Sequence, residues 1–219
     1  MTINKIAIIG GTGKEGKGLA FRWARAGFEV IIGSRQIEKA NTTADEINSV
    51  LDITFEKVKA MENNMAAKEG DIVVLTVPFD FHIPMLQQIK DKLQGKILID
   101  VTVPLVPPKV TKVQMPSAGS AGLEAKSIVD ETTEVVTAFQ NISYERLLST
   151  EDIGCDVLVC GTSKDARRLV IELIEKAGMV GYDAGPIENS VVIEGLTSIL
   201  IGINKEFGVK TAGIKIVGI

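Results

Sequence analysis

Two cysteines, one histidine and an aromatic content of 5% leave this 219-residue chain little material for several kinds of site. Cys155 and Cys160 fall on one expected strand at odd spacing, which turns their side chains to opposite faces. A bond between them is not expected, no second cysteine pair supports a zinc site, and both read as buried thiols in a reducing compartment. With His82 alone, a histidine-based metal centre is not expected. Long apolar runs are also missing: none nears the ~20 residues that a membrane span needs. A strand is expected within the first residues, so no secretory signal is expected. A soluble, cytoplasmic protein is therefore expected. Basic excess is absent too, with Lys and Arg at 24 against 28 Asp and Glu, a net charge of −4. A nucleic-acid partner is not expected from that balance.

What remains is ample apolar material, 45% of residues, arranged in alternating periodicities. Residues 5–9 form a short apolar run stopped by Gly10-Gly11, the pattern of a strand buried on both faces. Helical spacing follows over 14–26, closed by Gly27. Further strands are expected at 28–32, 54–58, 71–77, 96–101, 134–139, 156–160 and 180–183. Helices are expected at 37–51, near 62–68, from Pro78 to 92, at 123–130, at 164–177 and, as an apolar segment for core or oligomer contact, at 187–207. Residues 102–122 carry Pro104, Pro107, Pro108 and Pro116 and read as a long functional loop. This alternation predicts an α/β fold, a Rossmann-type doubly wound and mostly parallel sheet. The expected division is a nucleotide-binding domain over 1–140 with a smaller C-terminal part over 141–219 packed on it, or one continuous domain.

Gly11-Thr12-Gly13-Lys14-Glu15-Gly16 carries the chemistry. G-x-G-x-x-G is weak evidence alone, but here it follows a strand and opens a helix inside a βαβ unit. Gly11 permits the tight turn, Gly13 lets backbone approach a diphosphate, and Gly16 allows helix to pack on strand. The free N–H groups of the helix start then face phosphate. Strand two ends in Gly33-Ser34-Arg35 rather than in the acid that holds an NAD ribose. A hydroxyl, a guanidinium and Lys39 one turn on suit the 2′-phosphate of NADP. Ligands of such sheets sit beyond the carboxyl ends of the strands, which adds Thr76, Val77, Pro78 and the 101–104 segment to one crevice. Phe79 and Phe81 fit either a pocket wall or the core. His82 reads as a surface or packing residue, with no Asp, Ser or Cys partner evident in its neighbourhood; a catalytic role is the alternative.

These motifs, together with Ile9 to Ala20, Leu75-Thr76-Val77-Pro78, Tyr182-Asp183-Ala184-Gly185-Pro186-Ile187-Glu188-Asn189-Ser190 and Gly213-Ile214-Lys215, resemble the NADP-dependent reductases of the deazaflavin coenzyme F420 over nearly the whole chain. A wider similarity, in the N-terminal pattern, is to the reductase domains of metal-reducing membrane proteins. The resemblance implies hydride transfer between NADP(H) and F420, usually in a homodimer. It implies that residues 12–15, Ser34, Arg35 and Lys39 hold NADP, and that Val103 and Ala138 line the nicotinamide and deazaflavin pocket. Archaeal members of that family carry Ala-Leu-His-Thr-Ile-Pro where this chain has Ala138-Phe139-Gln140-Asn141-Ile142-Ser143. That departure keeps open an NADPH-dependent reductase of flavin, ferric chelate or another small acceptor, and a non-catalytic NADP(H)-binding protein. No nucleophile, general base or metal is expected, because the cofactors carry the chemistry.

Overall fold

The computed structural model describes residues 3–51, 58–149 and 152–219. Its centre is β1 (Lys5–Ile9), where Ile6 to Ile9 have no solvent exposure because helices cover both faces of the sheet. The chain continues through α1 (Lys14–Arg25), β2 (Glu29–Ser34), α2 (Ile37–Val50), β3 (Val58–Glu62), α3 (Asn63–Glu69) and β4 (Ile72–Leu75). A 3₁₀ turn at Phe79–Phe81 leads into α4 (His82–Ile89) and then β5 (Ile97–Asp100). After a loop reaching residue 120 come α5 (Ala121–Ile128), β6 (Glu134–Thr137), α6 (Tyr144–Leu147), β7 (Asp156–Gly161), α7 (Lys164–Lys176), β8 (Val180–Pro186) and α8 (Ser190–Phe207).

Eight strands form one sheet in the order β3-β2-β1-β4-β5-β6-β7-β8. β1 to β6 run parallel to one another, so their carboxyl ends share one edge. β7 pairs antiparallel with β6, and β8 follows β7 in parallel. The alternation places two apolar layers on the sheet. One holds Ile6, Ile8, Trp23 and Phe139; the other holds Ala7, Ile9, Leu86 and Leu98. Trp23 anchors the first: its indole N–H donates to the Leu173 carbonyl at 3.1 Å, and its ring meets Phe139 edge-on with centroids 5.7 Å apart.

Three elements differ from expectation. The third strand occupies Val58–Glu62, whereas 54–57 of the expected strand lie outside the described residues. Cys155 precedes β7 rather than lying within it, and both cysteines are free and buried. α6, which sequence periodicity misses, is four residues long and packs against α1. Among the described residues, no helix is long and apolar enough to cross a membrane, and no cluster of His, Cys, Asp and Glu could hold a metal ion.

Candidate functional site

A cavity of about 780 Å³ runs along the carboxyl ends of β2, β1, β4 and β5. Chain order reverses there, since β2 and β3 lie on one side of β1 and β4 on the other. Thr12, Gly13, Lys14 and Glu15 line its middle, and Ser34, Arg35 and Lys39 line one end. Thr76, Val77 and Pro78 meet Val101, Thr102 and Val103 at the other end.

The middle is a helix start. α1 makes its first intrahelical bond from the Lys17 N–H to the Gly13 carbonyl, at 2.8 Å. The N–H groups of Lys14, Glu15 and Gly16 therefore have no acceptor within the helix and sit at its positive end. Gly11 and Gly16 are not on the cavity wall but make it possible. A β-carbon on Gly16 would come within 2.7 Å of both the Gly11 α-carbon and the Thr76 hydroxyl oxygen, so only glycine lets α1 sit this close to β1. Asn63, not anticipated from sequence, is buried at the start of α3 and accepts the Gly10 N–H at 3.3 Å, which steadies the turn from below.

The two charged residues of this segment behave differently. Lys14 turns towards α6, its ammonium 3.1 Å from the Tyr144 hydroxyl and 4.6 Å from the ring centroid. Glu15 faces the cavity, and one of its carboxyl oxygens is enclosed without a hydrogen-bond partner among the described residues. Burial pushes its carboxyl up to about 8, so it is predominantly neutral at pH 7 and presents little charge to an anion.

At the β2 end, among the described residues, β2 itself contributes no acid to the cavity; the acid of the wall there is Asp80, beside Phe81. The Ser34 hydroxyl accepts the Gln36 N–H at 3.1 Å, and the exposed Arg35 guanidinium lies over the Phe81 ring at 4.9 Å. Phe79 and Phe81 both belong to the wall.

The far end rests on a buried ionic group. His82, with no solvent exposure, places Nε2 2.7 Å from Asp100 Oδ2 and Nδ1 3.0 Å from Glu124 Oε2. The expectation of an unpartnered surface or packing histidine is thus corrected: its partners lie 18 and 42 residues away, beyond the reach of local pattern. Burial pulls its pKa down, but Asp100 and Glu124 outweigh that and raise it to about 9, so both ring nitrogens carry protons at neutral pH. Ala138 is placed away from the wall, fully buried beside Val136 and Phe139. Phe139 adopts φ +75°, an uncommon conformation for a bulky residue. It turns the chain so that Gln140 Nε2 reaches the Asp100 carbonyl at 2.8 Å. The segment departing from the archaeal pattern therefore supports β5 from behind rather than facing the cavity.

A family model described as NADP oxidoreductase, coenzyme F420-dependent, matches residues 5–104. The F420-dependent NADP reductase of Methanocaldococcus jannaschii is 38% identical over 219 residues, 97% of this chain and 97% of that protein. That of Methanothermobacter marburgensis is 40% identical over 218 residues, again 97% of each. This chain belongs to the F420-dependent NADP reductase family. Metalloreductase STEAP3 of Rattus norvegicus is 28% identical over 193 residues, 88% of this chain but 36% of that protein. Among solved structures, a protein from Arthrobacter sp. FB24 superposes with TM-score 0.81 at 22% identity, covering 99% of this chain and 100% of its own. The NADP-bound pyrroline carboxylate reductase of Plasmodium falciparum superposes with TM-score 0.60 at 16% identity, over 94% of this chain and 66% of that one, a likeness of fold alone.

Proposed function

We propose that the chain catalyses hydride transfer between NADP(H) and coenzyme F420, the activity named for its relatives. The observation that carries this is their end-to-end identity, which spans both the phosphate-binding turn and the far wall of the cavity. The residues present fit NADP: an open helix start for the diphosphate, and Ser34, Arg35 and Lys39 for the 2′-phosphate. Gly11 and Gly16 shape that turn, while Thr76, Val77, Pro78 and Val103 flank the ring end. When bound, the nicotinamide and deazaflavin rings would supply the hydride chemistry, in either direction. The protein's part is to orient two rings and to exclude water. Apart from Asp80, the cavity wall from Thr76 to Gln88 and from Val101 to Val110 has no ionisable side chain among the described residues, which supports catalysis without an obligatory acid or base. We also take the enzyme to be a cytoplasmic homodimer without a nucleic-acid partner. Net charge −4 and the apolar outer face of α8, where Val192, Ile199 and Phe207 are exposed, support that view.

Purified protein mixed with NADPH and oxidised F420 should bleach the deazaflavin absorbance in step with NADPH oxidation. Turnover with FMN or ferric chelate but not with F420 would transfer the activity to another acceptor, a reading that the similarity to a metalloreductase favours. Tight NADPH binding with no acceptor reduced would leave a binding protein.

Glu15 adds a pH signature to this binding. Neutral below about 8, it becomes a carboxylate beside the diphosphate as pH rises through that value. One pH unit above such a pKa about a tenth remains protonated, so NADPH affinity should fall about tenfold between pH 7 and pH 9. Glu15→Gln should flatten that fall. Fluorescence titrations of both proteins across this range make the comparison, and parallel profiles would clear Glu15 of any part in it.

A further inference from the structure

Asp100 is the last residue of β5, and every group it offers is occupied. Its Oδ1 accepts the Thr102 N–H at 3.0 Å and its Oδ2 meets His82 at 2.7 Å. Its carbonyl takes Gln140 Nε2 at 2.8 Å and the Ala138 N–H at 3.4 Å. Directly after it, Val101, Thr102 and Val103 form one wall of the cavity. Directly before His82, the segment from Thr76 to Phe81 forms the facing wall, with the Phe79 ring stacked against the imidazole at a centroid distance of 6.1 Å. The His82–Asp100 pair is thus the strap joining the backs of the two walls between which the reacting rings must lie. A packing histidine needs neither two carboxylates nor complete burial, and leaving one such charge unpaired is costly.

We propose that His82 is a positioning residue for hydride transfer: through Asp100 it sets the spacing of the two cavity walls at the ring end, without touching either ring. This rests on the reading of the chain as an NADPH:F420 reductase. The groups facing the imidazole are Asp100 from β5 and Glu124 from α5, with Glu194 of α8 behind them, accepting the N–H groups of Ala121 and Gly122 at 2.7 and 3.0 Å. The diphosphate grip lies elsewhere, at residues 12–15, and the 34–39 grip meets this wall through Arg35 over the exposed Phe81 ring, not through the buried imidazole. Loss of the strap should therefore disturb ring geometry and leave nucleotide affinity almost intact.

The test is a split between kcat and the Kd for NADPH. His82→Ala should lower kcat about 100-fold, the cost of misplacing reactants by about 1 Å, and change Kd by less than about threefold. His82→Gln keeps an N–H for Asp100 and should recover much of the loss; His82→Asn should recover little. Asp100→Asn, which preserves shape, carries the same test if His82→Ala does not fold, with kcat again falling and Kd unchanged. The chain has one histidine, so imidazole ¹⁵N resonances need no assignment. They should report two protonated nitrogens at pH 7 and shift when NADPH is added. Unchanged kcat in the alanine or Asp100→Asn protein, or Kd worsening in step with kcat, would overturn the proposal. So would imidazole resonances indifferent to NADPH. Absence of turnover in the wild-type protein defeats the functional reading and this proposal with it, whereas wild-type turnover with unchanged kcat in the variants defeats this proposal alone.

Discussion

Gly16→Val should abolish NADPH binding while leaving a folded, weakened protein. The first β-carbon atom already lands 2.7 Å from the Gly11 α-carbon and 2.7 Å from the Thr76 hydroxyl oxygen, and the two further methyl groups deepen the clash. Backbone cannot rotate aside as a side chain can, so α1 must move off the β1 turn. The Thr76 hydroxyl, which donates to the Ile9 carbonyl at 3.0 Å, is displaced with it. Overpacking of this kind costs about 1–3 kcal/mol of stability. Binding should suffer more, because the N–H groups of α1 leave the place where the diphosphate lies. A loss beyond about 100-fold in affinity corresponds to some 2.8 kcal/mol, the scale of one or two charge-assisted hydrogen bonds. Calorimetric titration with NADPH, alongside a melting curve, separates the two effects. A folded variant with native affinity would mean the diphosphate does not use this helix start.

Arg35→Glu should invert cofactor preference. Arg35 stands exposed at the end of β2, stacked on Phe81, with Ser34 beside it and Lys39 one turn on. Replacing a guanidinium with a carboxylate removes a charge-assisted contact worth about 1.5–3 kcal/mol and adds repulsion against the 2′-phosphate. The Kd for NADPH should rise about 100-fold or more, at roughly 1.4 kcal/mol for each tenfold. NADH, which lacks that phosphate, should change little and can gain from a ribose-binding acid. Steady-state kcat/KM for the two nucleotides reads the inversion. Equal loss of both would remove Arg35 from the phosphate grip.

Much of the nucleotide end of the cavity is legible in sequence because its signals are local. A strand, three glycines and a helix start sit within twelve residues, and Ser34-Arg35 closes the next strand. The ring end is less legible because its organisation is distant in the chain. His82 finds Asp100 and Glu124 only when β5 and α5 are packed beside α4. Gln140 lies in a segment whose sequence invites comparison with a ligand pocket, yet the φ of Phe139 turns it to the back of β5. Strand direction is likewise silent: nothing in Asp156–Gly161 distinguishes a strand antiparallel to β6 from one parallel to it. α6 is too short to display a helical period, and Val58–Glu62, with one buried position, no regular alternation and one β-branched residue, gives a weak strand pattern at the sheet edge.

The proline-bearing stretch between β5 and α5 is moored at both extremities. Asp100 and Thr102 secure its beginning, while Ser120 caps α5 through the Leu123 N–H at 3.0 Å and meets Ser190 at 2.6 Å at its finish. Between those moorings, extra length carries only the slow logarithmic toll of closing a longer span, about 0.6 kcal/mol per doubling. Because Val103, Leu105 and Val110 of this span line the cavity, a change of its interior would reshape that wall like a shutter rehung on unchanged hinges, while the sheet beneath stays as it was.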